Sequence, residues 1–214
     1  MALDESAYKA SLSKFDQELY DANEKDIARR AETFSFDLKR FVSRIDACDT
    51  WQKLLQAHLY LDHVVSKALN DALVCPSAIL TSRMGFAQKA SLIEALGILP
   101  AEILIPIRAI NRLRNKAAHE LDFEISEDDA RSIVDKVPKA LRYLVEQTRD
   151  TAESPQHFGM VLKFMVVQTE IMRHENVRIR LTSRQRDLKL GYAFSNLKQM
   201  RQEGALDFLQ TADE

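Results

Sequence analysis

Glycine and proline are scarce, five of each in 214 residues. That leaves little turn chemistry for a fold built from many short strands. Phosphate cradles made of glycine-rich backbone are excluded as well, since GxGxxG, P-loop and GxSxG patterns are all absent. Cysteine occurs twice, Cys48 and Cys75, with no metal-ligand spacing between them. Two such residues read as reduced thiols of an intracellular protein; a single disulfide is the other reading. The longest apolar stretch, "EALGILPAEILIPI", carries glutamates and is interrupted by Gly97, Pro100 and Pro106. Nothing reaches the length of a membrane span. "MALDESAYKA" at the start has neither a basic opening nor an apolar run, so no secretion signal is expected there. The expected location is the cytoplasm. Excess charge is missing too: 30 Lys and Arg stand against 32 Asp and Glu. No global basic field points to nucleic acid or membrane, although a local patch is still allowed.

What is present is helix-forming. Leu, Ala, Glu, Lys, Gln and Arg dominate. The apolar spacing predicts helices at roughly 4–22, 25–46, 51–73, 83–96, 101–121, 127–149 and 156–175, with another near 183–202. Ser126 with Asp129 three residues later forms a capping-box variant with three acids in the first turn, and Gly97 suits a helix C-terminus. The segment 51–73 places Leu54, Leu55, Leu59, Leu61, Val65, Leu69 and Leu73 at mostly helical spacing and reads as a core helix. Its His58 and His63 are five apart, about 140° round a helix, so ordinary packing is preferred to a shared metal ion. The predicted class is all-α, with 1–150 as a helical bundle, a seam near 151–159, and 151–214 as a helical extension.

The charge asymmetry lies in that extension. Between Arg173 and Arg201 stand Arg173, Arg178, Arg180, Arg184, Arg186, Lys189, Lys198 and Arg201 against only Glu175 and Asp187. Two readings stay open: a solvated arm of a dimer interface, or a patch that contacts phosphates.

The stretch "NRLRNKAAHELD", Asn111 to Asp122, carries the most chemistry. Arg108, Arg112, Asn115 and His119 form one polar helical stripe; Ile103, Ile107, Ile110, Leu113, Ala117 and Leu121 form an apolar one. Arg114 falls inside the apolar stripe, between Ile110 and Ala118. A buried unpaired guanidinium costs several kcal/mol, so Arg114 needs a carboxylate, carbonyls, a snorkelling path or a shared cleft. "HELDF" from His119 lacks the second histidine of a zinc-protease helix, and no cofactor or metal is implied.

"RNKAAH", Arg114 to His119, in its order among the helices "LLQAHLYLDHVVSKAL" and "FAQKASLIEALGIL", resembles the HEPN superfamily over about residues 25–150. The resemblance implies a helical bundle; the ends of the chain, about 1–24 and 151–214, are not accounted for by it and are read as extra helices. It also implies a metal-independent endoribonuclease, a toxin or phage-defence effector, with a composite site at a homodimer interface. In that reading His119 is the general acid/base, Arg114 holds and stabilises the scissile phosphate, and Asn115 orients either one. Attack by the RNA 2′-hydroxyl would give a 2′,3′-cyclic phosphate. RNA would be contacted by Arg108, Arg112, Lys116, Arg178, Arg180, Arg184 and Arg186, and an antitoxin or defence-system protein is a further expected partner. In members controlled by a nucleotidyltransferase antitoxin a tyrosine follows the histidine by two residues; here that position is Leu121. Other members, such as the mannitol-operon repressor-like group, are non-catalytic nucleotide- or RNA-binding or regulatory modules, which is the alternative reading.

Overall fold

A computed structural model describes residues 4–81, 83–120, 122–147 and 155–202. Ten α-helices and one 3₁₀ turn, with no strand, make up the described residues. The helices are α1 Glu5–Ala10, α2 Lys14–Asp21, α3 Glu24–Ala31, α4 Leu38–Ala47, α5 Thr50–Ala72, α6 Phe86–Ala95, α7 Ala101–His119, α8 Glu127–Val134, α9 Lys139–Gln147 and α10 Pro155–Gln202. The chain is all-α, as its composition predicts.

Local chemistry sets the ends. Ser13, Asp37 and Asp49 each accept a backbone N–H from the first turn of α2, α4 and α5. Asn23 with Asp26, and Ser126 with Asp129, form reciprocal capping boxes at α3 and α8. Gly97 follows α6 with φ 64°, and the Ile98 N–H reaches the Ile93 carbonyl, a left-handed close that favours glycine. These same caps divide helices that apolar spacing alone joins. The predicted 4–22 helix breaks at Ser13, 25–46 breaks before Asp37, and 127–149 breaks at Pro138. The opposite error occurs at the end: 156–175 and 183–202 are one helix, because no glycine or proline lies between Gly159 and Gly191.

The chain packs as two units. One comprises Thr33–Asn176; the other comprises Met1–Glu32 with Val177–Glu214. The expected boundary near 150 falls inside the first, and α10 contributes residues to both. In the first unit α5, α6 and α7 pack on one another, α4 lies on α5, and α8 lies on α7. Phe41, Ile45, Leu54, Leu61, Leu69, Ile93, Leu104 and Leu162 are fully buried there. Each contributes about 1.5–3 kcal/mol of burial. Leu59, predicted for this core, is instead half exposed.

The second unit has its own small core of Leu19, Tyr20, Ile27 and Leu188, with Tyr8, Leu12, Leu181 and Tyr192 against it. Tyr8 donates to the Leu188 carbonyl at 2.9 Å, which seats its ring on Gly191; a Cβ there would lie 2.7 Å from the Tyr8 oxygen. Arg184 grips Asp16 with two hydrogen bonds of 3.0 and 2.9 Å, and Gln185 donates to the Leu19 and Ala22 carbonyls at the end of α2.

Candidate functional site

The motif helix α7 is fixed from below. Ile103, Ile107, Ile110 and Leu113 are buried as its stripe requires, and Ala117 is half buried. Leu121 lies outside the described residues. Beyond Leu113 the core ends: Asn115, Lys116, Ala118 and His119 are all exposed. Arg114 is therefore not an interior arginine. It sits half buried at the edge where the apolar stripe runs out, and its Nη1 donates to Asn115 Oδ1 at 3.0 Å. Its placement needs no buried counter-charge.

Arg114, Asn115 and His119 thus all lie on the last one and a half turns of α7. Asn115 and His119 are four residues apart and share a face, with the Arg114 fork tied to that face through Asn115. This segment presents a partly exposed guanidinium fork, an amide and an imidazole.

The other α7 cations differ in their attachments. Arg108 is paired with Glu94 of α6 at 2.6 Å. The Arg108 hydrogen bond holds the Glu94 carboxyl below its ordinary range. Lys116 stands 3.8 Å from Asp129 of α8 and lies over the Phe123 ring at 5.0 Å. Arg112 is exposed.

The basic segment of α10 is not one patch. Arg173 is buried, bonded to Glu170 and Asp71 within the larger unit. Arg178, Arg180, Arg184 and Arg186 belong to the smaller unit. There Arg184 is neutralised by Asp16, while Arg178 and Arg186 line a groove with Glu24, Ile27 and Ile179. Lys189 approaches the Tyr20 ring at 6.0 Å. The side chain of Arg201 lies outside the described part.

Ordinary packing, expected for His58, is what the structure shows, but its partner was not foreseen. His58 is 6 % exposed, with Nε2 2.9 Å from Asn111 Oδ1 on the motif helix and its ring 4.8 Å from that of Phe86. Nδ1 is buried with no hydrogen-bond partner. The signal lay in Asn111, three residues before Arg114: a polar residue on the buried flank of α7 requires a polar partner from α5. His63, by contrast, is exposed and meets the Ser35 carbonyl at 3.0 Å. The two histidines of α5 do not converge. Among the described residues no group of three His, Cys, Asp or Glu is placed to hold a metal ion, and Cys48 and Cys75 are free thiols.

Burial pushes the His58 imidazole below its ordinary 6.5; the Arg114 charge pushes the same way, and the hydrogen bond to Asn111 opposes both. The unfolded imidazole therefore takes its proton at higher pH than the folded one. This part of the stability is complete above 6.5 and is lost as pH falls through the lower, folded value. Urea unfolding at pH 7.5 and 5.5 should show a smaller loss on acidification for His58→Gln than for the wild type. Equal losses would assign the effect to other groups.

No helix of the described residues is long and apolar enough to cross a membrane. No protein-family model, curated protein or solved structure matches the chain.

Proposed function

We propose that the chain is a metal-independent endoribonuclease of the HEPN kind, a toxin or defence effector, whose working site forms from two copies of α7. The observation that carries this reading is the Arg114–Asn115 hydrogen bond beside an exposed His119 at the end of α7. A guanidinium fork offers paired donors to phosphate oxygens, and an imidazole moves protons near neutral pH.

The chemistry follows from those groups. His119 takes the proton from the RNA 2′-hydroxyl as its oxygen attacks the adjacent phosphorus, or gives one to the departing 5′-oxygen. Arg114 balances the negative charge that grows on the non-bridging oxygens, and Asn115 steadies the fork through its Oδ1. The products are a 2′,3′-cyclic phosphate and a 5′-hydroxyl. Five residues along a helix turn through about 140°, so one α7 does not aim Arg114 and His119 at a single phosphate. Two α7 helices meeting along the same face supply the arginine from one copy and the histidine from the other.

Purified protein incubated with labelled RNA and excess EDTA tests this directly. The expected outcome is cleavage with 2′,3′-cyclic phosphate ends, and no cleavage of the same sequence as DNA. A requirement for Mg²⁺ or 5′-phosphate ends would sink the mechanism. RNA binding without cleavage would move the chain to the non-catalytic, regulatory reading.

A further inference from the structure

Beside the motif, α7 and α8 leave a cleft of about 190 Å³. Ala109, Leu113 and Ile133 form part of its wall; its polar lining is Arg112, Lys116, Asp129, Ser132 and Lys136. Three cations therefore face one carboxylate. That carboxylate is already engaged: Asp129 Oδ2 accepts from the Ser126 hydroxyl at 2.8 Å and from its backbone N–H at 3.3 Å, and Oδ1 stands 3.8 Å from Lys116.

Lys136 is held in place by the Ser132 carbonyl and hydroxyl oxygen, both at 2.7 Å. Because that hydroxyl accepts from Lys136, its own hydrogen is available to a ligand in the cleft that Ser132 lines. Arg108, one turn before Arg112, shows how this surface silences a cation it does not use, with Glu94 at 2.6 Å. No carboxylate stands in that relation to Arg112 among the described residues. Crowding three like charges around a small concavity is unfavourable until an anion enters.

The size and place of the cleft define the anion. Its volume is below the roughly 300 Å³ at which pockets begin to enclose whole organic ligands, and is that of about six waters at about 30 Å³ each. It suits a phosphate group and part of a sugar. Arg112, Lys116 and His119 lie at intervals of four and three residues, so the cleft opens on the face of α7 that carries the histidine. Lys116 precedes His119 by about 4.5 Å along the axis.

We propose that the α7–α8 cleft binds a backbone phosphate of the RNA strand other than the one being cut, with Arg112, Lys116 and Lys136 as its cations and Ser132 as a neutral donor. This rests on the ribonuclease reading for the identity of the strand, but not for the existence of the anion site. It gives Lys136 and Ser132, on a helix outside the motif, a part in substrate binding.

The probe is a fully 2′-O-methylated oligonucleotide, which has no 2′-hydroxyl to attack and so reports binding alone. Lys136→Gln and Arg112→Gln should each weaken it several-fold. Each should also lower the salt dependence of log affinity by about 0.7, the value for one phosphate contact on a single strand. A series of such oligonucleotides, each with one neutral methylphosphonate linkage, locates the contact. Wild-type protein should lose affinity at one linkage in particular, and Lys136→Gln should be indifferent to that same linkage.

Coupling of one linkage to Lys136 in a protein that does not cleave RNA would keep the cleft and discard the nuclease reading. Cleavage without any such coupling would overturn the cleft alone, and so would failure of the wild type to bind the probe. Both substituted side chains reach solvent, and Arg112→Gln supplies the second variant should Lys136→Gln disturb the Ser132 contacts.

Discussion

His119→Ala and Arg114→Ala should each remove at least a hundredfold of the RNA cleavage while leaving the protein folded. A positioned acid/base contributes about 10²–10⁴ in rate, and a donor aimed at developing charge contributes about 10²–10³. Neither side chain is in the core. His119 is exposed at the last residue of α7, and Arg114 is half buried with Asn115 as its hydrogen-bond partner. Thermal midpoints should therefore stay within a few degrees of the wild type. The composite arrangement makes a sharper demand. Arg114→Ala and His119→Ala chains, each inactive alone, should complement when mixed. A mixed dimer contains one site with both groups and one with neither, so random pairing restores about a quarter of the wild-type activity. Mixed dimers that form without regaining cleavage would show that each copy works alone, or not at all.

Glu170→Ala should destabilise the protein by about 3–5 kcal/mol, the usual cost of stranding one member of a buried ion pair. Glu170 is fully buried. Its Oε1 accepts from the Ser35 N–H at 2.6 Å, from Arg173 Nη2 at 2.9 Å and from His174 Nε2 at 3.2 Å. Its Oε2 accepts from the Ser35 hydroxyl at 3.1 Å and Arg173 Nε at 3.0 Å. Arg173 in turn reaches Asp71 at 2.7 Å and the Thr33 carbonyl at 2.8 Å. One carboxylate and one guanidinium thus tie the segment between α3 and α4 to α5 and α10.

Removing the carboxylate leaves buried Arg173 with Asp71 and the Thr33 carbonyl, and takes away the acceptor of the Ser35 N–H. With about 2–4 °C per kcal/mol at this chain length, the melting midpoint should fall by roughly 6–20 °C. Glu170→Gln, which keeps some acceptors, should lose less. Acid should act on the same lock. Burial raises the Glu170 carboxyl, but hydrogen bonds and charge from Arg173, the Ser35 N–H and His174 outweigh it, and the group lies below its ordinary 4.5. Its contribution is present above that value and is lost as pH falls through the folded one. A Glu170→Ala protein with an unchanged midpoint would show the cluster to be energetically idle.

Sequence reasoning grouped Arg173 with Arg178 through Arg201 as one basic run, and this is where it misled. Linear charge counts do not see partners. Glu170 is three residues away and within sight of a helix rule, yet the Ser35 that completes its shell is 135 residues away. His58 and Asn111, 53 residues apart, pose the same difficulty, as does Lys136 facing Arg112 across a cleft between two helices.

The sequence by itself determined whatever is decided within a turn or two of helix. The scarcity of glycine and proline set the all-α class. Ser126 with Asp129 started α8, Gly97 closed α6, and Ile103, Ile107, Ile110 and Leu113 chose the buried face of α7. It also put Arg114, Asn115 and His119 on one helix, since their spacing is covalent. Tertiary structure decided how deep each residue lies and which charges are silenced. Arg114 reaches the surface because the core under α7 ends at Leu113, and Leu59 stays half exposed although sequence reasoning grouped it with the buried leucines of α5. Burial and pairing depend on which segments meet, and those meetings are set by the summed packing of all the apolar faces, a quantity no local window contains.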